Sequence, residues 1–324
     1  MRYLVTGGAG FIGSHLVERL LGDGHAVTVL DDLSTGRAAN LSAVAGHAQL
    51  QIIRDSVTND RTVDYAVANA DVVYHLASAV GVQLIADEPV RTIRTIIRGT
   101  EVVLESAQRF GKPTLITSSS EVYGRGTRVP FREEDDIVIG PTSQTRWCYA
   151  YAKSIDEFLG LAWHKQFGLP VTVVRLFNTV GPRQVGMYGM VMPRFVQAAM
   201  AGETLRVHGD GTQTRCFCHV SDVVDALIKL MRTPAATGRV FNIGGDEEIT
   251  MNELAKRVIA LSGSGSGIEH VSYETAYGHA FVDTQRRVPS LDRVKAAIAF
   301  APRHSLDSII RSVIEGQPKN IVAT

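Results

Sequence analysis

A glycine-rich turn near the amino terminus constrains the fold more than any other part of this sequence. The apolar run "YLVT" ends at Thr6 and is followed by "GGAGFIG", after which an amphipathic segment begins. Gly7, Gly10 and Gly13 therefore stand three residues apart, where a strand meets a helix. A diphosphate needs backbone N–H groups at a helix amino terminus and no side chains in its way, and glycines provide both. The turn predicts a phosphate-binding loop at the start of an α/β fold.

The rest of the first half alternates between short β-branched runs and helix-like segments. The strand-like runs are "AVTVL", "QIIRD", "VVYHLA", "TLITSSS" and "VTVVRLFN". This alternation is typical of a parallel sheet with helices on both faces, so we predict a Rossmann-type doubly wound α/β domain over residues 1–177. From Asn178 the rhythm loosens, and residues 178–324 are predicted to form a smaller α/β substrate domain. Some later segments, such as "RCFCHVSDVVDALIKLM", are expected to pack back on the first domain.

An acidic residue after the second strand-like run bears on the choice of cofactor. Asp31 follows "AVTVL" eighteen residues after Gly13, where a carboxylate can accept hydrogen bonds from both adenosine ribose hydroxyls and would repel a 2′-phosphate. We therefore predict NAD, with Arg37 leaving NADP as the alternative. Asp55, at the end of "QIIRD", is expected either near the adenine or as an ordinary turn residue. The other predicted cofactor contacts are Phe11, Ile12, Asp32 and Leu76.

Charge and cysteine content exclude several functional classes. The chain has 33 basic and 33 acidic residues, so it lacks the positive footprint that nucleic-acid binding requires. Three cysteines cannot form a disulfide framework, and those in "RCFCH" lack zinc-site spacing, so we expect packing residues and no metal. The sequence shows no signal peptide and no apolar run near the roughly 18 residues that a membrane span needs. A cytoplasmic protein with no membrane partner is expected.

Two polar motifs carry the candidate chemistry. The run "LITSSSEVYG" changes from apolar to hydroxyl residues at a strand end and places Glu121 directly behind them. The run "RWCYAYAKS" places Tyr149 and Lys153 four residues apart, on one face of a helix. A phenol titrates near ~10 and needs a nearby cation to act as a base at neutral pH, which Lys153 can supply. Ser119 can hydrogen-bond a substrate hydroxyl. Together with Tyr149 and Lys153 it forms a set of side chains suited to hydride transfer from that substrate to a dinucleotide.

Together with "TGGAGFIG" and "RLFNTVGPRQ", these motifs resemble the extended short-chain dehydrogenase/reductase superfamily, the NAD-dependent epimerase/dehydratase family. The resemblance spans nearly the whole chain. It implies tightly bound NAD and a UDP-sugar partner, with hydride leaving sugar C4 while Tyr149 takes the hydroxyl proton, assisted by Ser119 and Lys153. The segments "TEVVLESAQRF" and "SIDEFLGLAWHKQF" resemble the helices that pair in family homodimers. An intact set of three catalytic residues disfavours a catalytically idle NAD-binding regulator.

The residue at Glu121 separates the reactions of this superfamily. Epimerases usually have a small or hydroxyl residue there, whereas decarboxylases and dehydratases carry a glutamate. Glucose-type 4,6-dehydratases place an aspartate just before it, where this chain has Ser120, although mannose-type dehydratases use a serine. The stretch "QRRVPSLDRVKAAI" resembles the arginine-x-proline stretch of UDP-glucuronate decarboxylases and of the aminoarabinose-pathway decarboxylase, which places Arg287 near the sugar carboxylate.

The predicted function is therefore decarboxylation of UDP-glucuronate through a 4-keto intermediate, forming UDP-xylose or a UDP-4-keto-pentose. A UDP-sugar 4-epimerase is the first alternative and an NDP-sugar 4,6-dehydratase the second. Glu121 as a helix cap and Arg287 as a surface or phosphate-binding residue also remain open.

Three further residues match substrate-binding positions of the superfamily. Asn178 and Arg215 match residues that hold the diphosphate, which suits the planar fork of arginine, and Val191 matches a backbone contact to the nucleotide. Ile96 stands where the family commonly has an asparagine close to the sugar, and Met190 where UDP-xylose synthases tend to have an arginine. These departures leave the exact product open.

Overall fold

The computed structural model describes residues 1–79, 87–186, 190–277 and 284–317. Its strands, in chain order, are β1 (Arg2–Thr6), β2 (Ala26–Leu30), β3 (Leu50–Ile53), β4 (Val72–His75), β5 (Thr114–Ser119), β6 (Val171–Leu176), β7 (Thr179–Val180), β8 (Leu205–His208), β9 (Thr214–Cys216), β10 (Cys218–His219), β11 (Arg239–Ile243), β12 (Glu248–Thr250), β13 (Ile268–Val271) and β14 (Arg286–Arg287).

The helices of the described residues are α1 (Phe11–Gly22), α2 (Asp60–Ala68), α3 (Pro89–Phe110), α4 (Cys148–Phe167), α5 (Val191–Met200), α6 (Val220–Met231), α7 (Met251–Ser262), α8 (Tyr273–Tyr277), α9 (Asp292–Ile298) and α10 (Leu306–Glu315). Short 3-10 turns cover Ala38–Val44, Ser120–Tyr123, Thr145–Trp147 and Pro234–Ala236. None of these helices is both long and apolar enough to cross a bilayer.

A seven-stranded parallel sheet in the order β11-β6-β5-β4-β1-β2-β3 forms the centre of the molecule. The strand order reverses between β1 and β4, which is the switch point where ligands bind in doubly wound sheets. Leu4 and Val5 are both fully buried although they point to opposite faces of β1, because helices cover both faces. The predicted Rossmann-type α/β fold is confirmed.

The second half of the chain contributes to both parts of the molecule. Strand β11 forms one edge of the large sheet, and helix α6 packs against α1. A separate apolar core joins α5, α7 and α10 through residues such as Val196, Leu254 and Ile310. Next to it lies a three-stranded sheet in the order β12-β9-β14. The boundary near residue 177 stays a prediction.

Candidate active site

A cavity of about 930 Å³ opens at the carboxyl ends of the parallel strands and extends to the small sheet. Its size suits a dinucleotide cofactor and part of a substrate. The sequence-predicted residues that line it are Gly7, Gly10, Phe11, Ile12, Gly13, Asp31, Asp32, Leu76, Ser119, Glu121, Tyr149, Lys153, Asn178, Val191, Arg215 and Arg287. Asp55 and Arg37 lie outside this set.

The glycine turn closes one end of the cavity. Gly7 has a φ of 70°, and a Cβ there would lie 2.7 Å from the backbone nitrogen of Ala77. A Cβ on Gly13 would lie 2.1 Å from the carbonyl oxygen of Gly7. Gly10 is the N-cap of α1 and has no side chain to bond the first N–H groups of that helix. The turn thus presents a helix amino terminus, which has the chemistry that a diphosphate requires.

Two acidic residues at strand ends have different surroundings. The carboxylate of Asp31 accepts hydrogen bonds from the backbone N–H groups of Ala9, at 2.9 Å, and Leu33, at 2.8 Å. Burial raises the pKa of Asp31, and its carboxylate lines the cavity at the ribose end of the predicted cofactor. The carboxylate of Asp55 instead accepts hydrogen bonds from Ser56 and two side chains of its own turn and the start of α2. Asp55 was expected either near the adenine or as an ordinary turn residue, and these contacts are those of a turn residue.

Tyr149 and Ser119 come together from α4 and β5. The phenol of Tyr149 is buried, and burial together with the carboxylate of Glu121 raises its pKa, which the hydroxyls of Ser119 and Ser78 partly oppose. Ser78 follows the "HLA" run and was not anticipated. Ile96 is fully buried and packs against Tyr149. At this position, where the family commonly has an asparagine, the chain therefore has an apolar side chain that supports the phenol ring.

Lys153 lies one helical turn after Tyr149, as the spacing predicts. Its ammonium donates to the carbonyl oxygen of Thr117, at 3.0 Å, and to Oδ2 of Asp156, at 3.1 Å. Both side chains of this ion pair are almost completely buried. Asp156 was missed by sequence reasoning, although its position three residues after Lys153 would have placed the two side chains on one helix face.

Glu121 stands between two arginines. Its Oε1 accepts a 2.6 Å hydrogen bond from Nη1 of Arg287, and its Oε2 lies 3.9 Å from Nη2 of Arg146. The 3-10 turn Ser120–Tyr123 is capped by the hydroxyl of Ser119, which accepts from the backbone N–H of Glu121. The turn is therefore capped by Ser119, and the side chain of Glu121 contacts the two arginines instead. Arg146 belongs to the "RWCY" motif but was not singled out.

The small sheet aligns two arginines that are far apart in sequence. Arg215 in β9 and Arg287 in β14 are register partners on adjacent parallel strands. Arg215 is held by hydrogen bonds to the carbonyl oxygens of Thr214, at 2.7 Å, and Thr284, at 2.9 Å. Asn178 lies nearby and donates to the carbonyl of Cys216 at 3.1 Å.

The amino end of α5 forms another wall of the cavity. Val191 is the first residue of this helix and Met190 its N-cap, and both line the cavity with Arg194 and Arg183. The guanidinium of Arg183 is paired with Glu18 at 2.6 Å, so the helix amino terminus and Arg194 give this wall its positive character, which suits a diphosphate.

The cysteine motif "RCFCH" is part of the packed interior. Cys216 and Cys218 are buried, and burial raises the pKa of the Cys216 thiol to about 12 and that of Cys218 further. Among the described residues, no group of three or more His, Cys, Asp and Glu side chains could hold a metal ion.

A family comparison agrees with this geometry. The model of the NAD dependent epimerase/dehydratase family matches residues 3–244, which include the glycine turn, Tyr149 and Lys153. The chain belongs to this family. The resemblance seen in the sequence is thereby confirmed, and NAD is the cofactor. The residues present fit it, since the glycine turn leaves room for a diphosphate and Asp31 offers a carboxylate to the ribose.

Similar proteins within the family include decarboxylases of UDP-hexuronates and a 4-epimerase of known structure. UDP-N-acetyl-alpha-D-glucosaminuronate decarboxylase from Bacillus cytotoxicus is 41% identical over 315 residues, covering 97% of each chain. UDP-glucuronic acid decarboxylase 3 from Arabidopsis thaliana is 38% identical, covering 94% of this chain and 86% of the relative. Among solved structures, UDP-glucose 4-epimerase from Thermotoga maritima with UDP-glucose has a TM-score of 0.88 at 28% identity, with 98% of each chain covered.

Proposed function

We propose that this chain is an NAD-dependent decarboxylase of a UDP-hexuronate. The observation that carries the proposal is the contact between Glu121 and Arg287 in the same cavity as Tyr149 and Ser119. Arginine binds carboxylates bidentately and with high strength. An enzyme acting only on neutral sugars has no evident use for this buried arginine at the sugar end of the site.

The first step is oxidation at C4 of the sugar. NAD supplies a hydride acceptor when bound, and Tyr149 takes the proton of the C4 hydroxyl. The hydroxyl of Ser119 lies beside the phenol and can hold the same substrate oxygen. The ammonium of Lys153 is held by the carbonyl oxygen of Thr117 and the carboxylate of Asp156, so part of its charge is neutralised by a neighbouring group.

Loss of the carboxylate follows from the chemistry of the oxidised sugar. A C4 ketone is β to the C6 carboxylate, so the C5–C6 bond can break and release carbon dioxide. The electron pair of that bond moves to C5 and forms an enolate whose oxygen is on C4. Ser119 and Tyr149 are placed to donate hydrogen bonds to that oxyanion. Glu121 and Arg287 are placed to orient the C6 carboxylate before it leaves and to manage the proton that C5 then accepts. Hydride return to C4 would give a UDP-pentose, and release before that step would give a UDP-4-keto-pentose and NADH.

The two alternative reactions are less well supported by the side chains. A 4-epimerase of UDP-glucose or UDP-glucuronate needs no proton chemistry at C5, which leaves Glu121 without a catalytic role, and an epimerase of UDP-glucose also leaves Arg287 without a carboxylate to bind. A glucose-type 4,6-dehydratase needs an acid at the position of Ser120, which is a buried serine here. The relatives named for UDP-glucuronic acid and UDP-N-acetylglucosaminuronate support a hexuronate and make both sugars candidate substrates.

Incubation of the purified protein with each of these two UDP-hexuronates, followed by mass spectrometry of the nucleotide-sugar, tests the proposal. We expect at least one substrate to lose the mass of carbon dioxide. An unchanged mass with inverted C4 configuration would show a 4-epimerase and overturn it. The Tyr149→Phe variant is the matched control and should leave both substrates intact.

The proposal includes a homodimer formed through α3 and α4, which pack side by side. Tyr151, Ile155 and Phe158 follow one face of α4 and are 37%, 41% and 71% exposed. Val90 and Ile93 add 68% and 36% exposed apolar side chains on α3. Exposed apolar side chains on two neighbouring helices are typical of an interface, and a two-fold axis would pair them with the same helices of a second copy.

A further inference from the structure

His75 is a buried histidine that the proposed chemistry does not use. It is the last residue of β4, beside β1 where the strand order reverses, and it is 1% exposed. Both ring nitrogens have hydroxyl partners. Nδ1 lies 2.8 Å from Oγ1 of Thr6, which directly precedes the glycine turn, and Nε2 lies 3.1 Å from Oγ1 of Thr100 in α3. Burial, followed by the charge of Lys153, lowers the pKa of His75 to about 3. The ring is therefore neutral, and one nitrogen donates while the other accepts.

The other partners of the two threonines bear on which nitrogen carries the proton. Oγ1 of Thr6 accepts from the backbone N–H of Ala77 at 3.3 Å, which leaves the hydroxyl proton of Thr6 for the imidazole. At the other end, Oδ1 of Asp156 is buried and has no close hydrogen-bond partner among the described residues. Burial raises the pKa of Asp156, and the charge of Lys153 and hydrogen bonding from the Thr100 hydroxyl oppose that rise. The proton of Thr100 is therefore directed to this carboxylate.

The Nε2–H form of His75 is the one that satisfies these groups. With the proton on Nε2, Thr6 donates to Nδ1, Nε2 donates to Thr100, and Thr100 donates to Asp156. With the proton on Nδ1, the hydroxyl of Thr6 has no acceptor among the described residues, and Thr100 has to donate to the ring. A buried polar group without a partner costs more free energy than a typical hydrogen bond contributes. The contacts thus favour the Nε2–H form.

The same histidine is connected to both partners of Lys153. The ammonium donates to the carbonyl oxygen of Thr117 at 3.0 Å and to Oδ2 of Asp156 at 3.1 Å. The hydroxyl of Thr117 donates to the backbone carbonyl of His75 at 3.1 Å, while Thr100 links the ring of His75 to Asp156. An ammonium has three N–H groups in tetrahedral arrangement, so fixing two of them also fixes the third. Lys153 lines the cavity, where this third N–H can act.

We propose that His75 is a positioning residue for Lys153. Its Nε2–H form holds Thr100 toward Asp156 and its carbonyl holds the other partner of the ammonium, so that the third N–H is aimed into the cavity beside Tyr149. The inference rests on the proposed function, in which Tyr149 and Lys153 serve hydride transfer. It adds that this step depends on the tautomer of a histidine that does not touch the substrate.

A packing role for Thr100 makes the opposite prediction for two conservative substitutions. Valine keeps the shape of threonine and removes the hydroxyl, whereas serine keeps the hydroxyl and removes a methyl group. Thr100 is fully buried. If it only packs, serine is the more damaging change, because it leaves a cavity. If its hydroxyl transmits the orientation of His75, valine is the more damaging change.

Single-turnover formation of NADH by the full-length, NAD-loaded protein measures hydride transfer. UDP-glucuronate, UDP-N-acetylglucosaminuronate and UDP-glucose are tried in turn, and the sugar that is oxidised is used for the variants. Thr100→Val should slow this step by about 3- to 10-fold, the effect of one lost hydrogen bond, and keep the affinities for NAD and UDP-sugar within about twofold. Thr100→Ser should keep the rate within about twofold of wild type.

Thr92→Val is the matched control. Thr92 is buried in the same helix, its hydroxyl has no partner among the described residues, and it lies outside the cavity lining. Its loss should leave the rate of NADH formation unchanged. A serine variant of Thr100 that is slower than the valine variant, or equal rates in the two, would overturn the inference.

Nitrogen NMR of the NAD-loaded protein labelled on histidine reads the tautomer without turnover. One histidine should show the neutral Nε2–H form at neutral pH. Thr100→Val should move that signal toward the Nδ1–H form, because Nε2 loses its acceptor while Thr6 can still accept, and Thr92→Val should not move it. If no histidine responds in this way, the inference is wrong. The expected responses in an enzyme that oxidises C4 but releases no carbon dioxide would retain the inference and reject the proposed function.

Discussion

The ammonium group of Lys153 lies 3.1 Å from the carboxylate of Asp156, and both side chains are buried on one face of α4. The sequence predicts Lys153 as the cation that lowers the pKa of the Tyr149 phenol. In the structure its charge is shared with a carboxylate, and Asp156 itself contributes to raising the pKa of Tyr149, after burial and Glu121. Deprotonation of the phenol is therefore controlled by a balance among these groups.

Asp156→Asn should move the acidic limb of the kcat profile to lower pH. The substitution removes a negative charge near Tyr149, so the phenolate is favoured and its proton is lost at a lower pH. The other ionisable groups facing this site are Lys153, Glu121 and Glu157, and burial holds His75 neutral by lowering its pKa to about 3. Turnover measured across pH checks the prediction, with Glu105→Gln on exposed α3 surface as the control. An unmoved or upward-shifted limb would contradict it.

Tyr149→Phe should lower turnover by at least about 100-fold, the typical contribution of a positioned general base, while NAD binding is kept. The phenyl ring retains the contact with Ile96. Turnover and bound NAD are measured on the same preparation. Tyr151→Phe is the control, because its hydroxyl donates to the carbonyl of Gly140 at the surface side of the helix. Normal turnover in Tyr149→Phe would remove the catalytic assignment.

Glu121→Gln should allow oxidation at C4 and block loss of the carboxylate. The amide preserves the shape of the side chain but removes the charge bonded to Arg287. NADH absorbance in a single turnover reports the first step, and the mass of the nucleotide-sugar reports the second. If both steps fall by the same factor, the separate role given to Glu121 is wrong.

Gly13→Ala should weaken NAD binding at least about tenfold, because a close backbone clash distorts the turn. The new Cβ would lie 2.1 Å from the carbonyl oxygen of Gly7. Gly22→Ala in the same helix has nothing within 4 Å of its Cβ, so it should leave NAD affinity unchanged and raise stability by about 0.5–1 kcal/mol. Equal NAD affinity in the two variants would refute the role of this turn.

Phe158→Glu should convert a dimer into a monomer in light scattering after gel filtration. A charge at the centre of an apolar interface must be desolvated without a partner. Tyr65→Glu is the control, because this 56% exposed ring belongs to α2, which is not one of the two helices of the proposed interface. A wild-type monomer, or a dimer that survives Phe158→Glu, would contradict the proposed interface.

Features that depend on neighbours in sequence could be predicted from the sequence. The glycine turn, the strand and helix alternation and the pair Tyr149–Lys153 are set by backbone sterics and by side-chain spacing within a few residues. The family resemblance added Glu121 and Arg287 as separate candidates. Nothing in the local pattern relates these two positions, which are 166 residues apart.

The tertiary structure decided which of these groups meet. Strand register in the small sheet sets Arg287 beside Arg215, and the turn before α4 brings Arg146 to the other oxygen of Glu121. Charge balance in a cavity depends on such long-range pairings, because Coulomb interactions act through space and are weakened by the water that burial excludes. The sequence by itself therefore determined the fold and the cofactor, and only the folded chain showed a carboxylate enclosed by two guanidinium groups.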